Sequence, residues 1–313
     1  MEKHDPMQAS AVVFNIQSYC IHDGPGIRST VFVKGCPLRC IWCANPESQS
    51  ARPQLMTYEQ KCTGCGKCAA ACPRGAITLE RRGGGAVAVT NRDICTDCGA
   101  CVSGCLAKAR EIAGHLMTAE AALETVKRDT IFYNASGGGM TLSGGEPLAH
   151  PDFAESLLTG AQAAGIHTAI ESSCYAERAV IDRVFPHVDL ALLDIKHMDS
   201  AVHRRLTGVP NGRILANIRH IHDDLRRSLI LRIPTIPGCN DSPENMAAIG
   251  AFAASLGADV SVHLLPYHML GDSKSESLGH VRSLGITPPS GAHMMHALRE
   301  IVAQYGVQVT VVG

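Results

Sequence analysis

The sequence predicts an α/β fold, a partial (β/α)6 barrel of the TIM type interrupted by a small α+β insert. Three observations point to it. From Thr118 onward, β-branched runs alternate with helical periodicity, the pattern of a parallel sheet. Between residues 53 and 115 the composition shifts to short segments rich in Gly, Cys and Ala. The 313 residues leave about 250 for the barrel, which suits six or so β/α units and not a closed eight.

Residues 27–34 are β-branched and end in Gly35, so they read as a buried strand running straight into a cysteine loop. The insert holds strand candidates at 76–80 and 86–90, separated by Gly83, Gly84 and Gly85. Thr118 is placed to cap a helix that runs to about Lys127. Strand 140–143, helix 152–164, strand 168–172 and helix 177–184 follow, then strands 190–195, 229–233 and 260–265. Helices near 243–256 and 292–305 and a last strand at 307–312 complete the pattern. The expected organisation is 1–52 for the first part of the barrel, 53–115 for the insert and 116–313 for the remainder.

Hydrophobic residues make up 45% and charged residues 18%, with a formal charge of -1 and a pI near 6.9. Such a balance gives no general attraction for nucleic acid or an anionic membrane, so a small molecule or a protein is the expected partner. Residues 1–6 lack the apolar core of a signal peptide, and no apolar run approaches the ~18 residues of a spanning helix. The expected location is the cytoplasm. C-x2-C spacing in a chain of this length favours metal over disulfides, and with it a reduced, anaerobic setting.

Eleven of the fourteen cysteines fall into three runs. The first, Cys36, Cys40 and Cys43, supplies three thiolates where a four-iron cube takes four, leaving one iron open to an exogenous ligand. An open position is likewise what separates catalytic from structural zinc. The other runs, Cys62, Cys65, Cys68, Cys72 and Cys95, Cys98, Cys101, Cys105, repeat the bacterial-ferredoxin spacing, in which the fourth cysteine of each run serves the other cluster. Cys105 is therefore grouped with Cys62, Cys65 and Cys68, and Cys72 with Cys95, Cys98 and Cys101. Zinc would need four ligands per site and seldom uses two such runs. The two clusters of the insert would pass electrons, bind substrate directly or staple a domain too small to hold itself together, and with all eight ligand positions filled, relay or partner docking is expected over substrate ligation. Ser143-Gly144-Gly145-Glu146-Pro147 would let backbone approach a ligand and present a carboxylate to an ammonium, although a Gly-rich turn alone is an ordinary βα loop.

The C-x3-C-x2-C loop with Trp42 before its last cysteine resembles the radical S-adenosylmethionine superfamily. The resemblance implies a 4Fe-4S cluster on Cys36, Cys40 and Cys43 whose open iron chelates S-adenosylmethionine and, when reduced, cleaves it to methionine and a 5'-deoxyadenosyl radical. It implies Trp42 packed over the cluster and Gly144, Gly145 and Glu146 holding the methionine amino group. Glu171, Ser172, Asp194, Lys196, Arg232 and His268 resemble the cofactor-contacting positions of the glycyl radical branch. By that likeness Lys196 and Arg232 pair with the carboxylate or ribose, His268 lies against adenine, and Asp194 with Glu171 holds a monovalent cation.

Asp23-Gly24-Pro25-Gly26-Ile27-Arg28, the insert, and Leu264-Leu265-Pro266-Tyr267-His268 resemble the activating enzymes of glycyl radical enzymes, over about 11–312. That resemblance implies hydrogen abstraction from a backbone glycine of a larger partner, a glycyl radical enzyme, whose carboxy-terminal glycine loop enters the barrel mouth. Asp23 and Arg28 would touch that loop, and a flavodoxin or ferredoxin would supply electrons. The alternative is a radical enzyme acting on a small molecule; a plain electron-transfer protein would leave the Gly-Gly-Glu-Pro turn without a role. Cys20, Cys174 and Cys239 fit no run and read as small apolar residues, Met294 and Met295 as core, and His293 with His296 lacks a third metal partner.

Overall fold

In the computed structural model, which describes residues 6–280 and 288–312, two antiparallel strands come first, β1 (Ser10–Cys20) and β2 (Arg28–Val33). Residues 1–5, part of the segment judged to lack a signal peptide, lie outside the described residues. The insert contributes β3 (Gln54–Thr57), β4 (Ile77–Arg82), β5 (Gly85–Thr90) and β6 (Arg110–Ala113), with β3 antiparallel to β6 and β4 to β5. β7 (His115–Thr118) returns to the edge of β1. Then come β8 (Gly139–Gly144), β9 (His167–Ser172), β10 (Leu190–Asp194), β11 (Ser228–Thr235), β12 (Ser261–Pro266) and β13 (Gln308–Val311).

Among the described residues these strands form one nine-stranded sheet in the order β13-β12-β11-β10-β9-β8-β2-β1-β7, and a pair each from β3 with β6 and β4 with β5. From β2 through β8 to β13 every pairing is parallel, so six helical links join seven parallel strands in an open sheet. Parallel strands need helices on the sheet, and the helix Pro151–Ala163 illustrates how the sequence supplies them. Pro151 starts it without losing a needed donor, and Phe153, Leu157 and Ala161, four residues apart, join Ala154 and Leu158 on one buried face. Each large side chain so buried contributes roughly 1.5–3 kcal/mol. Thr118 caps the helix Ala119–Lys127, its hydroxyl accepting from the Ala121 N–H at 3.2 Å.

The expected strands are found with ends shifted by a residue or two. Ahead of residue 27, where no strand is expected, lies the long strand β1. Its alternation is masked because the pairing with β2 shifts between Val13 and Asn15, a bulge that puts Val12, Val13 and Phe14 in an unbroken apolar run. Met295 is buried, but Met294 is 48% exposed, so only half of that pair is core. Among the described residues no helix is long and apolar enough to cross a membrane.

The insert has a small core of its own, Leu55, Cys68, Ile77, Ala88 and Cys101. Arg92 ties it to the rest of the chain, donating to the Leu55 carbonyl at 2.7 Å and to the Ser277 carbonyl, at the end of the helix Leu270–Ser277, at 2.8 Å.

Arg28 departs from expectation. It was placed against a docked partner, yet it is 0% exposed at the start of β2. Its guanidinium donates to the carbonyls of Met140, His167 and Pro25 and to the Thr141 hydroxyl, at 2.7 Å, which in turn donates to the Asp23 carbonyl at 2.7 Å. The side chain thus holds the Asp23 to Gly26 loop from below and has no free face for a peptide. Arg28→Leu should lower stability by about 3 kcal/mol, because buried acceptors lose their donor. A shifted denaturant midpoint with unchanged m-value would show it; no shift would refute the clamp.

Candidate active site

β2 delivers Cys36, Cys40 and Cys43 beyond its carboxyl end, and the turn after β8 packs against that exit. The Gly145 N–H donates to the Val33 carbonyl at 2.7 Å and the Glu146 N–H to the Gly35 carbonyl at 2.8 Å. A Cβ on Gly145 would stand 2.5 Å from the Gly35 carbonyl oxygen and 2.8 Å from that of Ser48, and Gly144 holds φ +115°, a conformation that favours glycine. The paired glycines therefore admit the protein's own backbone, where a ligand had been expected to approach. Glu146 is 1% exposed, and its carboxylate accepts four hydrogen bonds, from the Leu148 and Ser173 N–H groups and the Ser172 and Ser173 hydroxyls, at 2.5 to 3.2 Å. Burial pushes its pKa up and the serine hydroxyls pull it back. All of its usual acceptor positions are thus filled from within the chain.

The carboxyl ends of β9, β10 and β11 bring the other expected charges together. Asp194 pairs with Lys196 at 2.8 Å, and Glu171 with Arg232 at 3.1 Å while accepting from the Ser143 hydroxyl at 2.6 Å. Asp23 reaches the same group, 4.0 Å from Arg232, and its other oxygen accepts from the Thr30 hydroxyl at 2.7 Å. Burial alone would raise the Glu171 carboxyl, but the Arg232 charge, Ser143 and Lys196 hold it below its ordinary value. Burial raises Asp194 despite Lys196, and Asp194 with Cys40 more than offsets burial to raise Lys196. Arg232 is 7% exposed; its Nη1 is the nitrogen paired with Glu171, while its Nε has no partner. A buried guanidinium donor left open fits an anionic group such as the carboxylate of S-adenosylmethionine.

Burial pushes the Cys40 thiol up to about 12 against the pull of Lys196, and raises Cys36 and Cys43 as well. Loading these sites with metal must therefore release protons. Trp42 is buried with Leu206, Ile236 and Tyr267, with Cys40 packed against that group. His268 lies just past β12 and is exposed. In the insert, one cavity is bordered by Cys62, Cys65, Cys68 and Cys105 and a second by Cys72, Cys95, Cys98 and Cys101, the crossed grouping expected from the spacing. None of the fourteen cysteines forms a disulfide. Among the described residues no three His, Cys, Asp or Glu side chains gather as round a single ion; a cluster takes each thiolate at a separate iron.

Some residues of the site escaped the sequence. Ser173 anchors Glu146, and the Ser172-Ser173 pair at a strand end was the available signal. Lys34, 0% exposed in an apolar run, donates to the Glu47 carbonyl and to Gln54. A lysine closing a buried strand could have been flagged.

A sheet whose parallel strands end in a three-cysteine loop and a charged rim, with an eight-cysteine insert, defines a class of iron-sulfur enzyme. The 4Fe-4S dicluster domain matches residues 61–109 and the radical SAM superfamily matches residues 92–248, half of the chain. The chain belongs to the radical SAM superfamily and binds 4Fe-4S clusters and S-adenosylmethionine. It is 42% identical to the indoleacetate decarboxylase activating enzyme of Tractidigestivibacter scatoligenes, covering 98% of each chain. It is 40% identical to the isethionate sulfite-lyase activating enzyme of Oleidesulfovibrio alaskensis, over 97% of this chain and 98% of that one. A radical SAM methyltransferase from Sphaerobacter thermophilus shares the fold at 13% identity and a TM-score of 0.54, over 99% of this chain and 78% of that chain.

Gly145→Ala should displace the cysteine loop from the β8 turn, costing roughly 1–3 kcal/mol through overpacking and lowering iron loading per chain. Full iron content and an unchanged melting temperature in the variant would show that the contact is slack.

Proposed function

We propose that the chain is an activating enzyme of a glycyl radical enzyme, with a cluster on Cys36, Cys40 and Cys43 and two more on the crossed cysteine sets of the insert. When bound, the open-iron cluster and S-adenosylmethionine supply a 5'-deoxyadenosyl radical that takes a hydrogen atom from a backbone glycine of the partner. The observation that carries the reading is the unpartnered Nε of buried Arg232 in the charged group at the strand ends, in a chain whose relatives over nearly their full length are activating enzymes. Arg232 would hold the cofactor carboxylate, Trp42 would keep water from the cluster, and His268 would meet the adenine. In this reading Asp23 would meet the partner segment, and Arg28 would act through it. Asp194 and Glu171 already have Lys196 and Arg232 as counter-charges, so the reading requires no monovalent cation there.

The rest of the reading depends on this one. Residues 1–52 and 116–313 form the barrel, in this reading curved as a partial (β/α)6 unit, and 53–115 the insert. The setting is the anaerobic cytoplasm, and a flavodoxin or ferredoxin donates the electron.

The test is electron paramagnetic resonance of the reconstituted, reduced protein with S-adenosylmethionine and indoleacetate decarboxylase, isethionate sulfite-lyase or choline trimethylamine-lyase. A glycine-centred doublet from one of them, with 5'-deoxyadenosine formed in step, is expected. Cofactor cleavage without a protein radical from any partner would instead favour a small-molecule substrate. Iron analysis tests the crossed ligation: Cys72→Ala and Cys105→Ala should each remove about one cluster's worth of iron, roughly four atoms, and leave the other insert cluster in place.

A further inference from the structure

Beside the active site lies an open cavity of about 380 Å³, bounded by the inner face of β1, the chain just after the cysteine loop, and β3 and β6 of the insert. Its β1 wall carries Asn15 and Gln17, in the regular stretch of the ladder where Asn15 faces Phe32 and Gln17 faces Thr30. Alternate residues of a strand share a face at intervals of ~6.8 Å. An extended peptide alongside repeats its backbone N–H and C=O groups on one side at that same interval. Both side chains are exposed, and among the described residues neither carboxamide has a hydrogen-bond partner in the protein. A carboxamide has both donor and acceptor, the complement of a peptide group.

The opposite walls set polar groups among the apolar Met56, Ile112 and Ala113. Glu47 is 4% exposed; its Oε1 pairs with Lys274 at 2.7 Å, and its Oε2 is buried without a partner. On the insert side the Tyr58 hydroxyl donates to Glu111. The track continues inward: Gln17 neighbours Thr30, Thr30 donates to Asp23, and Asp23 stands 4.0 Å from Arg232.

We propose that this cleft seats the glycine-bearing segment of the partner in extended form, Asn15 and Gln17 bonding its backbone while β3 and β6 of the insert form the outer wall. The inference rests on the activating reading above and gives its substrate a route. Two carboxylates, Glu47 and Glu111, against the one ammonium of Lys274 favour a segment without acidic side chains.

Fluorescence anisotropy tests it, using the holoprotein with S-adenosylmethionine and labelled heptapeptides centred on the radical glycine of indoleacetate decarboxylase, isethionate sulfite-lyase and choline trimethylamine-lyase. At least one peptide should bind, and the double variant Asn15→Ala, Gln17→Ala should weaken it about tenfold, as two lost hydrogen bonds imply. The thermal midpoint should not move, since both residues are exposed, and Tyr58→Phe on the facing wall gives an independent second variant that should also weaken binding. Failure of every peptide to bind, or equal binding by wild type and both variants, would overturn the cleft. A glycine doublet with the whole partner alongside unchanged peptide affinity would sink the cleft alone; no doublet from any partner would overturn both readings.

Discussion

The fold turns on the buried carboxylate of Glu146. A charge out of water is costly unless fully hydrogen-bonded, and here two amides and two serine hydroxyls from the β8 turn and the end of β9 supply those bonds. The same turn is bonded through its backbone to Val33 and Gly35, at the exit of β2. Three neighbouring strand ends are thereby fixed to one another, and the cysteine loop hangs from β2, beside the β8 turn. A reactive cluster needs that rigidity, because a misplaced radical is quenched by whatever lies nearest.

The neighbouring charges follow a different rule. Glu171 and Asp194 are each matched by a cation, and burial of such pairs stabilises little by itself while breaking them is costly. What sets the site apart is the imbalance at Arg232, which serves Glu171 through Nη1 and leaves its buried Nε unused. A folded chain tolerates unused buried donors chiefly where a ligand completes them.

Much of this was legible in the sequence, and for a local reason. Cysteine runs are written in short spacings along the chain, so the three runs and the strand leading to Cys36 could be read without a fold. The parallel alternation after Thr118 was legible because each β/α unit carries its own period. Arg28 was misread because its motif gives proximity to Asp23 but not direction. Only the tertiary structure shows its guanidinium turned inward onto three carbonyls. β1 was hidden by a bulge, and the role of the two glycines by the fact that backbone, not ligand, fills the space they leave.

The insert also looks different in three dimensions from a detachable electron store. Glu47, only four residues after Cys43, pairs with Lys274 on the helix Leu270–Ser277, and the carbonyl of Ser277 on that same helix accepts from Arg92 of the insert. Lys34, two residues before Cys36, reaches both Glu47 and Gln54 at the start of β3. The cysteine loop is therefore bracketed on both sides by contacts that lead to the insert. Shifting β3 would strain Lys34 and Glu47 before it reached the cluster ligands themselves, so the fit of the insert and the seating of the cysteine loop are mechanically one problem. That coupling accounts for a metal-stapled domain placed between the first strand pair and the rest of the sheet, where it can form one wall of the cleft and bear on the reactive loop together.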